Sequence, residues 1–302
     1  MDAHALFAPG TQLPLISDRV IPLGQKRQHK FSVDIKRWTE KWTLSCGMFV
    51  GSLNDFYSKT NAPGEPEDEA FLKLYDWRFA DQLRRDGRVE PWSGYLHSGS
   101  AHKKLGRPWD QLERDAFLYD EMRSSLDNEI ATYNRLAQYQ GKIIPKLYSQ
   151  VRLQCPRGRN VTSAPSETYQ VHGILIESIK GFSLGALMDN APNTSWQNIV
   201  DQAVQVTHIL GDHDIVNRDV RPDNFMVVPL DNGEYKVYMI DFGQCRLRRD
   251  DESDAIWGQI KWQTNEEGGV GFEMQDKLHE VGFKLDFQCS SKYQQWAAED
   301  ER

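Results

Sequence analysis

No Cys-x-x-Cys pair occurs in this sequence: its four cysteines, Cys46, Cys155, Cys245 and Cys289, lie far apart. That spacing excludes a zinc ribbon or finger and gives no basis for a disulfide framework, so the thiols are read as reduced. Basic excess is also lacking. With 36 Lys and Arg against 44 Asp and Glu, the formal net charge of -8 argues against general nucleic-acid binding, which needs a surface that neutralises phosphates. No apolar run is long enough to span a bilayer, and the opening MDAHALFAPG lacks the basic start and apolar core of a secretory signal. The expectation is a protein of the cell interior, cytoplasmic or nuclear, without a membrane partner. His208 and His213, beside Asp212 and Asp214, fall at a helix end and read as capping and solvated residues, not as metal ligands.

What is there is concentrated in one stretch, DIVNRDVRPDNFMVVPLDNGEYKVYMIDFGQ, residues 214–244. A polar loop carrying Asp219 and Asn224 leads into a strand from Phe225. Asp231-Asn232-Gly233 then turns into a second strand at Tyr235, which runs to Asp241-Phe242-Gly243. Asn-Gly between two β-rich runs predicts a hairpin, which returns Asp241 to the end of the unit that holds Asp219 and Asn224. Two carboxylates and an amide meeting there are oxygen donors of the kind that suit Mg²⁺, whose shell is completed by water and substrate phosphates.

These residues carry a resemblance. Asn217-Arg218-Asp219, Asn224 and Asp241-Phe242-Gly243 are similar, in order and nearly in spacing, to the catalytic-loop and Asp-Phe-Gly motifs of the eukaryotic protein kinase superfamily, and the sequence most resembles its divergent fungal kinase-like members. The resemblance implies an α+β, bilobal protein kinase-like fold: a small β-rich N-lobe with a long insertion and a shortened helical C-lobe. On that basis residues 1–30 form a flexible leader, 31–177 the N-lobe with an insertion over about 77–123, 178–296 the C-lobe, and 297–302 an acidic tail. ATP and Mg²⁺ are the implied cofactors. The acceptor, a protein or a small molecule, stays open.

Site residues follow from the same resemblance. Asp219 accepts or orients the acceptor hydroxyl, Arg221 steadies the moving phosphoryl group, and Asn224 and Asp241 hold Mg²⁺. Lys73, in the apolar run Ala70-Phe71-Leu72-Lys73-Leu74-Tyr75, matches the lysine that grips the α- and β-phosphates; without the resemblance it reads as a lysine that snorkels to solvent. Its helix partner is assigned to Glu129, with Glu121 as the alternative. After the strand Val171 to Glu177, backbone groups of Glu177 and Ile179 meet adenine.

The sequence also departs from the family. Asn217 replaces the usual histidine, no Gly-x-Gly-x-x-Gly is present, only Cys46-Gly47-Met48-Phe49-Val50-Gly51 could cover the phosphates, and no Ala-Pro-Glu follows Gly243. A helix capped at Thr194-Ser195 is expected to bury Ile199, Ala203, Val206 and Leu210, and Glu266-Glu267-Gly268-Gly269 reads as a turn. Arg218 is expected to be held by a fixed carboxylate. Arg246, Arg248 and Arg249 read as a solvated charge run or a contact for an acidic partner. Two further functions stay open beside ATP-dependent phosphotransfer: a pseudokinase or scaffold that binds nucleotide or a protein partner without turnover, and a small-molecule kinase.

Overall fold

A computed structural model describes residues 7–20, 26–39, 45–60, 68–79, 111–154 and 170–297. The chain is of α+β type with a strand-rich N-terminal region. It divides into two compact units, Met1–Asp127 with Lys146–Ser178, and Asn128–Pro145 with Ile179–Arg302. Among the described residues no helix is long and apolar enough to cross a membrane.

The first unit is a closed antiparallel barrel of six strands: β1 (Gln12–Val20), β2 (Lys26–Trp38), β3 (Cys46–Gly51), β4 (Ala70–Tyr75), β5 (Leu147–Gln154) and β6 (Gln170–Glu177), in the order β1-β2-β3-β4-β6-β5, with β5 pairing back onto β1. Period-two alternation sets the inside. Leu13 and Leu15 of β1 and Phe31, Val33 and Ile35 of β2 are buried, while Gln12 and Pro14 face out. Closure leaves no bare sheet edge. The short helix α1 (Asn54–Thr60) buries Phe56 against Phe31, ring centroids 5.0 Å apart, and each such ring contributes about 1.5–3 kcal/mol by leaving water.

Two expectations are corrected here. The leader placed over 1–30 contains all of β1 and the start of β2, because residues 12–20 alternate as a strand and β1 has partners on both sides, β2 and β5. Cys46–Gly51 is a strand paired with β4, Gly47 opposite Lys73, and cannot be a phosphate-covering loop. Of the expected insertion, Trp77–Phe79 is a buried 3₁₀ turn and residues from 111 belong to helix α2 (Gln111–Arg135). Residues 80–110, most of the expected insertion, lie outside the described residues.

The second unit holds the last turns of α2, then α3 (Leu187–Asn190), α4 (Asn193–Asp212), α5 (Asp254–Thr264) and α6 (Glu266–Glu280). Its strands are β7 (Phe182–Ser183), β9 (Phe225–Pro229) and β10 (Tyr235–Met239) in one sheet, and β8 (Ile215–Asn217) with β11 (Cys245–Leu247) in another. Helix α4 buries Ile199, Ala203, Val206 and Leu210 as its pattern predicts and packs on α6 and β10. Its N-cap is Pro192, however, and neither Thr194 nor Ser195 caps it. The expected hairpin forms, with Gly233 at φ +83° accommodating the turn.

The Glu-Glu-Gly-Gly turn is corrected: those residues are the first turn of α6. Asn265, at φ 44°, ends α5 and caps α6, its side chain accepting from the Gly268 N–H. A Cβ on Gly269 would sit 2.8 Å from the Val220 carbonyl oxygen, so glycine there lets α6 approach the loop between β8 and β9.

Candidate functional site

The loop between β8 and β9 is short and tightly bonded. Asn217 is fully buried, and its Oδ1 accepts from the Asp219 N–H at 2.9 Å. Pro222–Asn224 forms one 3₁₀ turn, which carries Asn224 back over Asp219. Asn224 Nδ2 donates to the Asp219 carbonyl at 2.7 Å and to its carboxylate at 3.1 Å. With Nδ2 spent on Asp219, Asn224 keeps Oδ1 as its acceptor group. Arg221 Nε lies 3.6 Å from the Asp219 carboxylate and its side chain is half exposed, so the pair is a weak tether.

Asp241 reaches the same turn through the hairpin. The Ile240 N–H donates to the Asn224 carbonyl at 2.8 Å, which fixes the end of β10 against the loop, and Asp241 follows at φ 64°. A non-glycine residue in the left-handed region costs about 1–3 kcal/mol and persists where its surroundings overdetermine it. Its carboxylate accepts from the Gly243 N–H at 3.3 Å. Among the described residues no three His, Cys, Asp or Glu side chains gather as a metal cluster. Asp219, Asn224 and Asp241 offer two carboxylates and an amide, oxygen donors of the kind that suit Mg²⁺.

Glu129 lies on the part of α2 that belongs to this unit and is fully buried, whereas the alternative, Glu121, is exposed. Tyr133, one turn on, packs edge-to-face on Phe242 at 5.3 Å. Between these elements sits Cys245. Burial pushes its thiol far above the ordinary value, and the Glu129 and Asp241 carboxylates add to the rise, while a Thr132 hydrogen bond and Lys261 oppose it. Glu129 and Asp241 therefore act on one buried atom. Phe225 and Phe242 are fully buried beside the loop.

Lys73 and Glu177 belong to the first unit. Lys73 is 5 % exposed in the middle of β4, opposite Ile174, with its ammonium 5.5 Å from the Tyr75 ring, so it does not reach solvent as a snorkelling lysine would. The Glu177 N–H donates to the Lys146 carbonyl at 2.9 Å, and its carboxylate takes the Lys146 N–H at 3.0 Å. That N–H is not open to an adenine ring. Ile179, half-buried, is the first residue of the chain's return to the second unit.

Two expectations about charge change. Arg218 is exposed and no ion pair among the described residues reaches it; only its backbone is fixed, donating to the Gln244 carbonyl at 3.4 Å. The arginines after Gly243 are paired, and of the three Arg249 alone is exposed. Arg246 Nη1 donates to both oxygens of the buried Glu252 at 2.9 Å, Arg248 donates to Asp254 at 2.6 Å, and Arg249 reaches Glu252 at 3.3 Å. Arg246 holds the Glu252 carboxyl below its ordinary value. Ser253 caps α5, its hydroxyl accepting from the Ile256 N–H at 3.3 Å. His213 is the C-cap of α4 and bonds the Ile209 carbonyl at 2.9 Å, whereas His208 lies inside α4, half-buried, and bonds Glu267 of α6 at 2.7 Å.

No family model matches the chain. Among curated proteins it is similar to Casein kinase I homolog RAG8 of Kluyveromyces lactis and Casein kinase I homolog 2 of Saccharomyces cerevisiae, each 36% identical over 85 residues, and to Casein kinase I homolog 1 of the latter at 34%. Each match covers 26% of this chain and 16% of the relative. The chain thus matches about a sixth of the length of these relatives, which supports a kinase-like relationship over that part.

Proposed function

We propose that the chain is a kinase-like phosphotransferase that binds Mg²⁺-ATP inside the cell and transfers the γ-phosphoryl group to a hydroxyl acceptor. The observation that carries this reading is the bonded turn in which Asn224 holds the Asp219 carboxylate while the hairpin returns Asp241 beside it. Partial similarity to casein kinase I homologues supports it.

Phosphoryl transfer asks for positioning and charge neutralisation more than covalent chemistry. Asp219, its carboxylate fixed on one side by Asn224, orients the acceptor hydroxyl and takes its proton. Arg221, half exposed and only loosely tied to Asp219, is free to turn to the moving phosphoryl group. Asn224 Oδ1 and the Asp241 carboxylate would hold Mg²⁺, which neutralises charge on the bound phosphates. Lys73 would grip the α- and β-phosphates; Glu129, its assigned partner, is fully buried in the second unit. Adenine is met by backbone around Ile179.

The test is Asp219→Asn. The reading expects Mg²⁺-ATP affinity within about 3-fold of the wild type and turnover lowered ~100-fold or more, because the carboxylate acts after nucleotide is bound. Wild-type protein that binds Mg²⁺-ATP without any turnover would make the chain a nucleotide-binding scaffold instead.

A further inference from the structure

Among the described residues, strand β8, which delivers Asp219, has a strand neighbour on one edge only. Val216 and Arg218 face β11, in register with Arg246 and Gln244, so the polar groups of Ile215 and Asn217 point to the other edge. That edge is closed by side chains. Lys261 Nζ donates to the Ile215 carbonyl at 3.1 Å, the Asn217 N–H donates to Glu266 Oε1 at 2.7 Å, and Lys261 and Glu266 bond each other. Both are buried, at 5 % exposure each.

Room for the ammonium is provided by Gly211, where a Cβ would sit 3.3 Å from Lys261 Nζ, and by the Tyr293 ring, 5.8 Å away. A cavity of about 50 Å³ between α4, α5 and the chain near Tyr293 borders the pair. Taking an ammonium and a carboxylate out of water costs several kcal/mol per ion, and an apolar pair of similar volume is often at least as stable. Stability alone is therefore weak ground for such a pair, and the best-attested use of one is to define a single register, here that of a short strand.

We propose that Lys261 is a positioning residue for the Asp219 loop, acting through Glu266 and Asn217. The connection is continuous: Lys261 fixes Glu266, Glu266 fixes the Asn217 backbone, and Asn217 Oδ1 fixes the Asp219 N–H. Asn224 completes it from the other side. Lys261 touches neither nucleotide nor acceptor in this account, and its effect on turnover rests on the phosphotransferase reading.

The experiment is Lys261→Met in the full chain, read by amide hydrogen exchange and by steady-state kinetics. Exchange of the Asn217 and Asp219 amides is expected to speed up ~10-fold or more while that of Ile199, in the α4 core, is unchanged. Turnover is expected to fall ~10-fold or more with Mg²⁺-ATP affinity held within about 3-fold. Wild-type protection of Asn217 and Asp219 in a folded Lys261→Met protein would overturn the proposal, as would unaltered kcat. If the wild type itself shows no turnover, the phosphotransferase reading falls, and the exchange rates still decide the role of Lys261. Should Lys261→Met give no cooperative melt, Glu266→Gln decides: it keeps an acceptor for Asn217 but discharges the pair. Faster Asn217 exchange in that variant supports the proposal and wild-type exchange overturns it.

Discussion

Replacing Gly269 by alanine should disturb the Asp219 loop from outside it. By helix propensity alone the change is favourable, about 1 kcal/mol for a glycine inside a helix. The structure sets a steric cost against that gain. The new Cβ would lie 2.8 Å from the Val220 carbonyl oxygen, where ordinary contact begins at 3.4 Å. Val220 is backbone on a loop held at both ends, by Asn217 and by Asn224, so the contact is not relieved by a side-chain rotation. Overpacking of this kind costs about 1–3 kcal/mol, which leaves the variant net destabilised by about 0–2 kcal/mol. If the loop yields by roughly half an ångström, and a 1 Å misplacement costs ~100-fold, turnover should fall ~10-fold, or about 1.4 kcal/mol in the barrier. Denaturant melts give the first number and ATP turnover at saturating nucleotide gives the second. A Gly269→Ala protein that is about 1 kcal/mol more stable and fully active would refute the argument that α6 presses on this loop.

Glu252, held below its ordinary value by Arg246, lends stability that is fully present above about pH 4.5 and is lost as pH falls through the lower folded value. Urea midpoints should therefore drop with acid in the wild type and change less in Glu252→Gln; parallel curves would contradict this. Cys245, buried and with its thiol pushed far up, should resist iodoacetamide at pH 8 in the native protein and react once unfolded, as read by peptide mass spectrometry. Rapid native alkylation would show that the site opens. Ser253→Ala should lower stability by ~1 kcal/mol through the lost α5 cap and leave turnover intact, as should phosphatase treatment of the wild type. A large loss of turnover in both would mean that Ser253 is a phosphorylation switch.

The hairpin and its acids were legible because Asn232-Gly233 and two flanking β-rich runs are local signals, and local chemistry determines that turn. The α4 stripe was legible for the same reason. Strand β1 was not, because Pro14 and Gly10 suggest a loose segment. Pro14 is tolerated since, among the described residues, it pairs only with β2; pairing to β5 begins at Leu15. Glycines misled again at 268–269, where close approach to Val220, a tertiary fact, overrides the turn signal. The support beneath the loop was the least legible part. Lys261 and Glu266 meet across a left-handed Asn265, and neither spacing nor composition marks them as buried. Glu252 is one acid among four in its run, and only burial against Arg246 singles it out.

The central claim is tested most directly by calorimetric titration of the purified chain with ATP, with and without Mg²⁺, alongside Asp241→Ala. The account predicts saturable ATP binding that Mg²⁺ strengthens in the wild type, and a variant from which the Mg²⁺-dependent part is gone. No binding at millimolar ATP, or binding that is the same with and without Mg²⁺ in both proteins, would contradict it.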